Sequence, residues 1–353
     1  MRRVPDVYCG NTSAVPVLTL WSGVRAGSLA AGADSRCAHV LVSILVLSSV
    51  SAVVHSPVAS TSVAAQQPTF RAGSDVVRVF ATVIDRDGRL VTTLTKEQFE
   101  VRDDGKPQPL TQFDNSPLPI RLIVMLDVSG SMEGNLQLLR DASDELFSRL
   151  GRDDLARVGS FGHKVEISPT FTHDRKELRA ALPTEIAPDA PTPLWRGIDE
   201  AMTAFGGDRE QRRVVLVLSD GKDTGMGGGF QRHPASQAGV IDRAREEDVM
   251  IYAVGMRSRM RHTGPMDIRT AMLADMPDPG LARVAEESGG GYLEIRGNDD
   301  LNSAFARVVD ELHAQYLLGY APPKRDGKAH SIEVRVTEKG MKPRARRSYV
   351  APK

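Results

Sequence analysis

Hydrophobic and polar positions change rhythm three times along the 353 residues. From Val76 to Ile84 the run VVRVFATVI mixes β-branched and aromatic residues and stops at Asp85-Arg86-Asp87-Gly88, the pattern of a strand closed by a turn. Phe99-Glu100-Val101-Arg102 repeats this and runs into Asp103-Asp104-Gly105, while Pro107, Pro109, Pro117 and Pro119 stiffen the exit and mark a boundary. Residues 66–118 are therefore expected to form a small β domain. Asp85, Asp87 and Gly88 also fit the start of a calcium loop, but the acidic ligand at EF-hand spacing is missing, which favours the turn.

After Pro119 the period changes. Arg121-Leu-Ile-Val-Met-Leu126 is a near-continuous apolar run, as in a strand buried on both faces. Leu136, Leu139, Ala142, Leu146 and Leu150 then recur at helical spacing. Strands near 156–161, 214–218, 249–254 and 292–295 alternate with helices near 194–205, 235–247, 280–288 and 300–314. Such β-α alternation predicts an α/β fold over residues 119–320, a doubly wound, mostly parallel sheet. Residues 256–279 read as an irregular insertion rich in Met and Arg. From Ala321 to Lys353 the pattern returns to strands, at Ser331–Val336 and Ala345–Val350. These are expected to pack with the N-terminal β domain as one β-sandwich-like unit built from both ends.

The first 65 residues differ from the rest. Arg2, Arg3, Arg25 and Arg36 precede AHVLVSILVLSSVSAVV (38–54), and Val63-Ala64-Ala65 before Gln66 suits an A-x-A-like cleavage site. This is the pattern of an export signal or, since the run approaches spanning length, of a membrane anchor. Either places the remainder in the periplasm, on the cell surface or outside the cell. Cys37 lacks the residues of a lipid-attachment box, and both cysteines, Cys9 and Cys37, fall in this segment. A chain that has lost it has neither disulfide nor thiol chemistry.

Charge sharpens the division. The whole chain balances 45 Lys+Arg against 45 Asp+Glu, which gives no reason to expect a nucleic-acid partner. Residues 66–320 nevertheless hold 31 basic against 40 acidic residues, and residues 321–353 hold 10 against 3. An acidic body suits a cation, whereas the tail, with Arg344, Arg346 and Arg347, lies against that body or touches an anionic envelope surface.

Candidate chemistry concentrates where the first buried strand ends, at Asp127-Val128-Ser129-Gly130-Ser131. Alternation puts Asp127, Ser129 and Ser131 on one side of an extended loop, at the carboxyl edge where open α/β sheets bind ligands. One carboxylate and two hydroxyls make an all-oxygen donor set, which suits Mg²⁺, with Mn²⁺ or Ca²⁺ as alternatives, rather than zinc. In these residues the chain resembles the von Willebrand factor type A domain, whose metal-ion-dependent adhesion site reads D-x-S-x-S. The resemblance spans roughly 119–320 and implies two further ligands from later loops, for which the chain offers Thr192 and Asp220. Prolines flank Thr192 where relatives carry Gly-Gly, which puts its backbone path in question. Leu94–Phe99, Asp104-Gly105-Lys106 and Tyr316–Tyr320 are similar to the von Willebrand factor type A-related proteins of Acidobacteria.

Asp127 and Asp220 bring two negative charges and the hydroxyls none, so a divalent ion between them keeps electrophilic character. By resemblance, such a domain binds a protein ligand that presents an acidic side chain. The chain is thus expected to be an adhesion-type binding protein and not an enzyme. A metal-dependent hydrolase and a scaffold with a vestigial, metal-free site are the rivals. Hydrolysis needs a base near the metal, and nothing in the spacing aims His163, His173 or His233 at Asp127. Gly221-Lys222-Asp223-Thr224 lacks the upstream glycine and the ending of a phosphate loop, and Gly227-Gly228-Gly229 reads as a mobile loop.

Overall fold

A computed structural model describes residues 76–207, 211–225, 235–257, 276–295 and 300–353. The export segment with both cysteines, the glycine run 227–229, His233 and most of the Met-rich insertion lie outside the described residues. The described residues open on four strands, β1 (Val77–Ile84), β2 (Phe99–Asp103), β3 (Lys106–Gln108) and β4 (Leu110–Asp114). Four more follow at the other end: β11 (Tyr316–Tyr320), β12 (Ala329–Val336), β13 (Lys342–Arg344) and β14 (Ser348–Val350).

These eight strands form two antiparallel sheets, ordered β13-β1-β11-β4 and β14-β12-β2-β3. Val79, Ala81, Val83 and Leu318 from one sheet share a core with Val101, Ile332 and Tyr349 from the other. Each buried Val, Leu or Ile among them contributes roughly 1.5–3 kcal/mol relative to exposure. The proline-rich exit holds two strands that its composition did not suggest. Both β3, with Pro107, and β4 are edge strands, where a missing N–H costs no ladder bond. Tyr316–Tyr320, read from sequence as the end of the α/β region, instead hydrogen-bonds between β1 and β4.

Between these two sets of strands lies the α/β domain. Its strands are β5 (Ile120–Asp127), β6 (Leu155–Phe161), β7 (Val165–Ile167), β8 (Arg212–Ser219), β9 (Val249–Met256) and β10 (Tyr292–Ile295). They form one sheet ordered β10-β9-β8-β5-β6-β7, parallel throughout except for the edge strand β7. Period-2 alternation sends Leu122, Val124 and Leu126 to one face and Ile123 and Met125 to the other. Helices α1 (Leu136–Arg149), α2 (Arg175–Ala180) and α6 (Leu301–His313) cover the first face. Helices α3 (Leu194–Ala204), α4 (Gln237–Glu247) and α5 (Pro279–Ser288) cover the second. This is a doubly wound α/β sheet, and the edge strand β7 and the short helix α2 are additions to the elements read from the sequence.

The two parts share a polar seam. Gln315, between α6 and β11, donates to Thr82 Oγ1 at 2.8 Å and to the Tyr252 hydroxyl at 3.2 Å. Arg344 pairs with Glu311, Arg346 with Asp248 at 2.6 Å, and Arg347 with Glu286. The three tail arginines thus lie against the acidic body, the first of the two placements expected of them.

Candidate metal centre

β5 ends between β6 and β8 at the carboxyl edge, and the chain leaves it as an extended loop tied to both neighbours. Val128 N–H donates to Phe161 O at 2.9 Å, and Ser129 N–H donates to Asp127 Oδ1 at 2.9 Å. The Ser129 and Ser131 hydroxyls are 3.1 Å apart, and Ser131 Oγ donates to Asp220 Oδ1 at 2.6 Å. Gly130 is where the next loop comes closest. Its N–H donates to Ala190 O at 3.1 Å, and a Cβ there would lie 1.9 Å from Pro188 O.

That contact locks the Thr192 loop against the first one. Pro191 and Pro193 remove two N–H donors, and both backbone groups of Thr192 between them are engaged. Thr192 N–H donates to Thr224 Oγ1 at 2.8 Å, while Thr192 O accepts from Thr224 N–H at 3.0 Å and from Leu194 N–H at 2.9 Å. A Cβ on Gly221 would come within 3.0 Å of Thr192 Oγ1 and 3.5 Å of Ser131 Oγ, so both hydroxyls converge on bare backbone. The structure therefore brings Asp127, Ser129, Ser131, Thr192 and Asp220 together. All are buried except Ser131, which is half-buried and opens with Thr192 onto a groove of about 690 Å³.

Burial dominates the electrostatics. Loss of water pushes the Asp127 carboxyl up to about 7, against hydrogen bonds from Ser129 and Ser219, and the Asp220 charge adds to the rise. Asp220 is likewise raised by burial, with the Ser131 hydroxyl opposing. Its second oxygen, Oδ2, is buried and makes no hydrogen bond. A buried carboxylate oxygen without a donor is costly, and a cation beside it removes the cost. Two carboxylates and three hydroxyls fit a hard divalent ion by donor type as well.

Sequence reasoning missed several supporting residues. Ser219 Oγ donates to Asp127 Oδ2 at 2.5 Å, because the register that pairs Leu126 with Leu218 sets the next two residues side by side. One hydroxyl closing the apolar run Val214–Leu218 of a fully buried strand, directly before Asp220, was the available clue. Gly221–Thr224 supports the Thr192 loop: besides Thr224, Asp223 accepts the Trp195 N–H at 3.3 Å at the start of α3. His163 pairs at 3.1 Å with the exposed Asp189, which lines the groove.

Residues 122–285 match the family model of the von Willebrand factor type A domain. This part of the chain is a von Willebrand factor type A domain. Solved structures similar to the chain include a von Willebrand factor type A protein from Catenulispora acidiphila, at 11% identity over 80% of this chain and 76% of that one, TM-score 0.44. An aerotolerance-related membrane protein from Bacteroides fragilis is 15% identical over 55% of this chain and 98% of its own, TM-score 0.39. Proximal thread matrix protein 1 from the mussel byssus, solved with a zinc-occupied MIDAS motif, is 16% identical over 60% of this chain and 50% of that chain, TM-score 0.40. No curated protein matches the chain. Among the described residues no helix is long and apolar enough to cross a membrane.

Proposed function

We propose that this is an exported, metal-dependent binding protein whose type A domain recognises an acidic side chain of a protein partner. Asp127, Ser129, Ser131, Thr192 and Asp220 would hold the ion, and Mg²⁺ suits their all-oxygen donors best. The observation that carries the reading is the bare Asp220 Oδ2, buried near a second desolvated carboxylate and joined through Ser131 to an open groove. A divalent ion there supplies an electrophilic centre with coordination positions left for a partner's carboxylate. The chain's own groups do the rest. Ser219 and Ser129 fix the two oxygens of Asp127, the Ser131 hydroxyl orients Asp220, and the Thr224 clasp holds Thr192 at the groove wall. The exposed His163 pairs with Asp189 instead of with these ligands, which favours binding over hydrolysis.

The test is retention of a partner from envelope extract by the full chain, with Mg²⁺ and with EDTA, alongside Asp127→Ala. Retention that needs Mg²⁺ and is lost in the variant supports the reading, provided circular dichroism shows both proteins folded. Binding that survives EDTA sinks it, and metal-dependent turnover of generic esters or phosphodiesters would favour the hydrolase instead.

A further inference from the structure

The β-sandwich carries a second group of candidate ligands that the type A site does not involve. Asp103 ends β2, Asp104 begins the tight turn into β3 with φ 46°, and His330 lies on β12, which pairs with β2. One ligand atom from each lies within 4.8 Å of the others. Every other polar atom of these side chains already has a partner. Asp103 Oδ2 accepts from the Tyr320 hydroxyl at 2.9 Å and the Tyr349 hydroxyl at 2.6 Å. Asp104 Oδ1 accepts from Ser331 N–H at 3.0 Å and from Ser331 Oγ at 3.2 Å. His330 Nε2 bonds Asp326 Oδ1 at 3.0 Å.

Three atoms remain, His330 Nδ1, Asp103 Oδ1 and Asp104 Oδ2, the last also 3.9 Å from Lys324 Nζ. His330 Nδ1 lies 3.4 Å from Asp103 Oδ1 and 2.8 Å from Asp104 Oδ2. Yet Nδ1 and Asp103 Oδ1 are both buried and make no hydrogen bond, and the Asp103 side chain is 0% exposed. The Asp326 contact supplies what a metal-bound imidazole needs, a carboxylate on the far nitrogen that directs the free lone pair to the metal. The tyrosines do the same for Asp103, fixing the carboxylate so that one oxygen stays free. Tetrahedral coordination at about 2.1 Å separates neighbouring ligand atoms by roughly 3.4 Å, close to the spacing of Nδ1 and Asp103 Oδ1. Asp104 is exposed and gives access from solvent.

We propose that Asp103 Oδ1, Asp104 Oδ2 and His330 Nδ1 form a second divalent-cation site, selective for a borderline ion such as Zn²⁺, with water completing the coordination. The mixed nitrogen and oxygen set distinguishes it from the all-oxygen set of the type A domain. The ion would tie the β2–β3 turn to β12, strands from opposite ends of the chain, in a β-sandwich that has no cysteine to do so.

Co²⁺, a visible stand-in for Zn²⁺, tests this on the full chain carrying Asp127→Ala, so the outcome does not depend on the type A site. One equivalent should bind with the intense d–d absorption of low-coordinate Co²⁺, be displaced by Zn²⁺ and resist Mg²⁺. Adding Asp104→Asn, an exposed isosteric change, should weaken binding by roughly tenfold or more with the fold intact by circular dichroism. In the unaltered chain Co²⁺ should shift and broaden the His330 ring resonances. No uptake by the folded Asp127→Ala chain, uptake indifferent to Asp104→Asn, or undisturbed His330 resonances would each overturn the proposal and leave the cluster holding a proton.

Discussion

Two buried carboxylate clusters in one chain solve the same electrostatic problem in different ways. At the sheet edge Asp127 and Asp220 are surrounded by hydroxyls and a backbone N–H, neutral donors that cannot cancel charge, and the Asp220 Oδ2 atom has no donor at all. In the β-sandwich Asp103 has two tyrosine hydroxyls on one oxygen and an imidazole facing the other. Both clusters thus keep one buried carboxylate oxygen free of hydrogen bonds, the first among neutral donors and the second beside a ring nitrogen. A third buried carboxylate, Asp154, shows the fully satisfied case: it accepts from Ile120 N–H at 3.0 Å, from Gly151 N–H at 2.6 Å and from the His313 ring at 2.8 Å.

The largest effect should come from the sandwich. Asp103→Ala leaves two buried tyrosine hydroxyls without their acceptor and removes the carboxylate facing His330, and a loss of about 3 kcal/mol in urea unfolding is expected. A loss below 1 kcal/mol would erase the distinction drawn between the clusters. Next comes the sheet edge. Mg²⁺ at a hundred times its dissociation constant should stabilise the wild-type chain by about 2.7 kcal/mol and Asp127→Asn not at all. In EDTA the same variant should be more stable than wild type by about 1 kcal/mol, since it removes a desolvated charge. Equal stability gains from Mg²⁺ in both proteins would contradict this assignment.

A third effect sharpens the contrast through pH. Burial raises the Asp154 carboxyl, but the His313 contact and the two backbone donors outweigh it, and its pKa lies below the ordinary value. Its contribution is therefore complete above the unfolded pKa near 4 and is lost as pH falls through the depressed native value. Asp154→Asn should cost about 2 kcal/mol at neutral pH and flatten the acid limb of a stability–pH curve below about pH 4. An acid limb as steep as that of wild type would show that Asp154 is not its source.

Much of the sheet edge was legible in the chain because its chemistry is local. A strand buried on both faces announces itself as RLIVML, the loop that follows must sit at the carboxyl edge, and alternation alone groups Asp127, Ser129 and Ser131. Thr192 and Asp220 required the family resemblance, since their approach depends on loops 61 and 89 residues beyond Ser131. Ser219 was invisible because its role exists only in the β5–β8 register. The second cluster escaped for a stronger version of the same reason. Asp103-Asp104-Gly105 looked like a turn, and it is one, but His330 joins it across 227 residues of chain through the β2–β12 pairing.

By itself the sequence determined the alternation of strands and helices, the buried central strand, the acidic body with its basic tail and the oxygen-rich loop at the strand end. Each follows from side-chain type and period within a few residues. Tertiary structure alone decided that β11 leaves the α/β domain to pair between β1 and β4, that edge strands absorb the prolines, and that tail arginines take up the body's acids. Those outcomes depend on which distant strands share a register and which faces bury each other. Only the assembled core supplies that choice, because hydrophobic burial rewards long-range pairing without encoding it in any single segment.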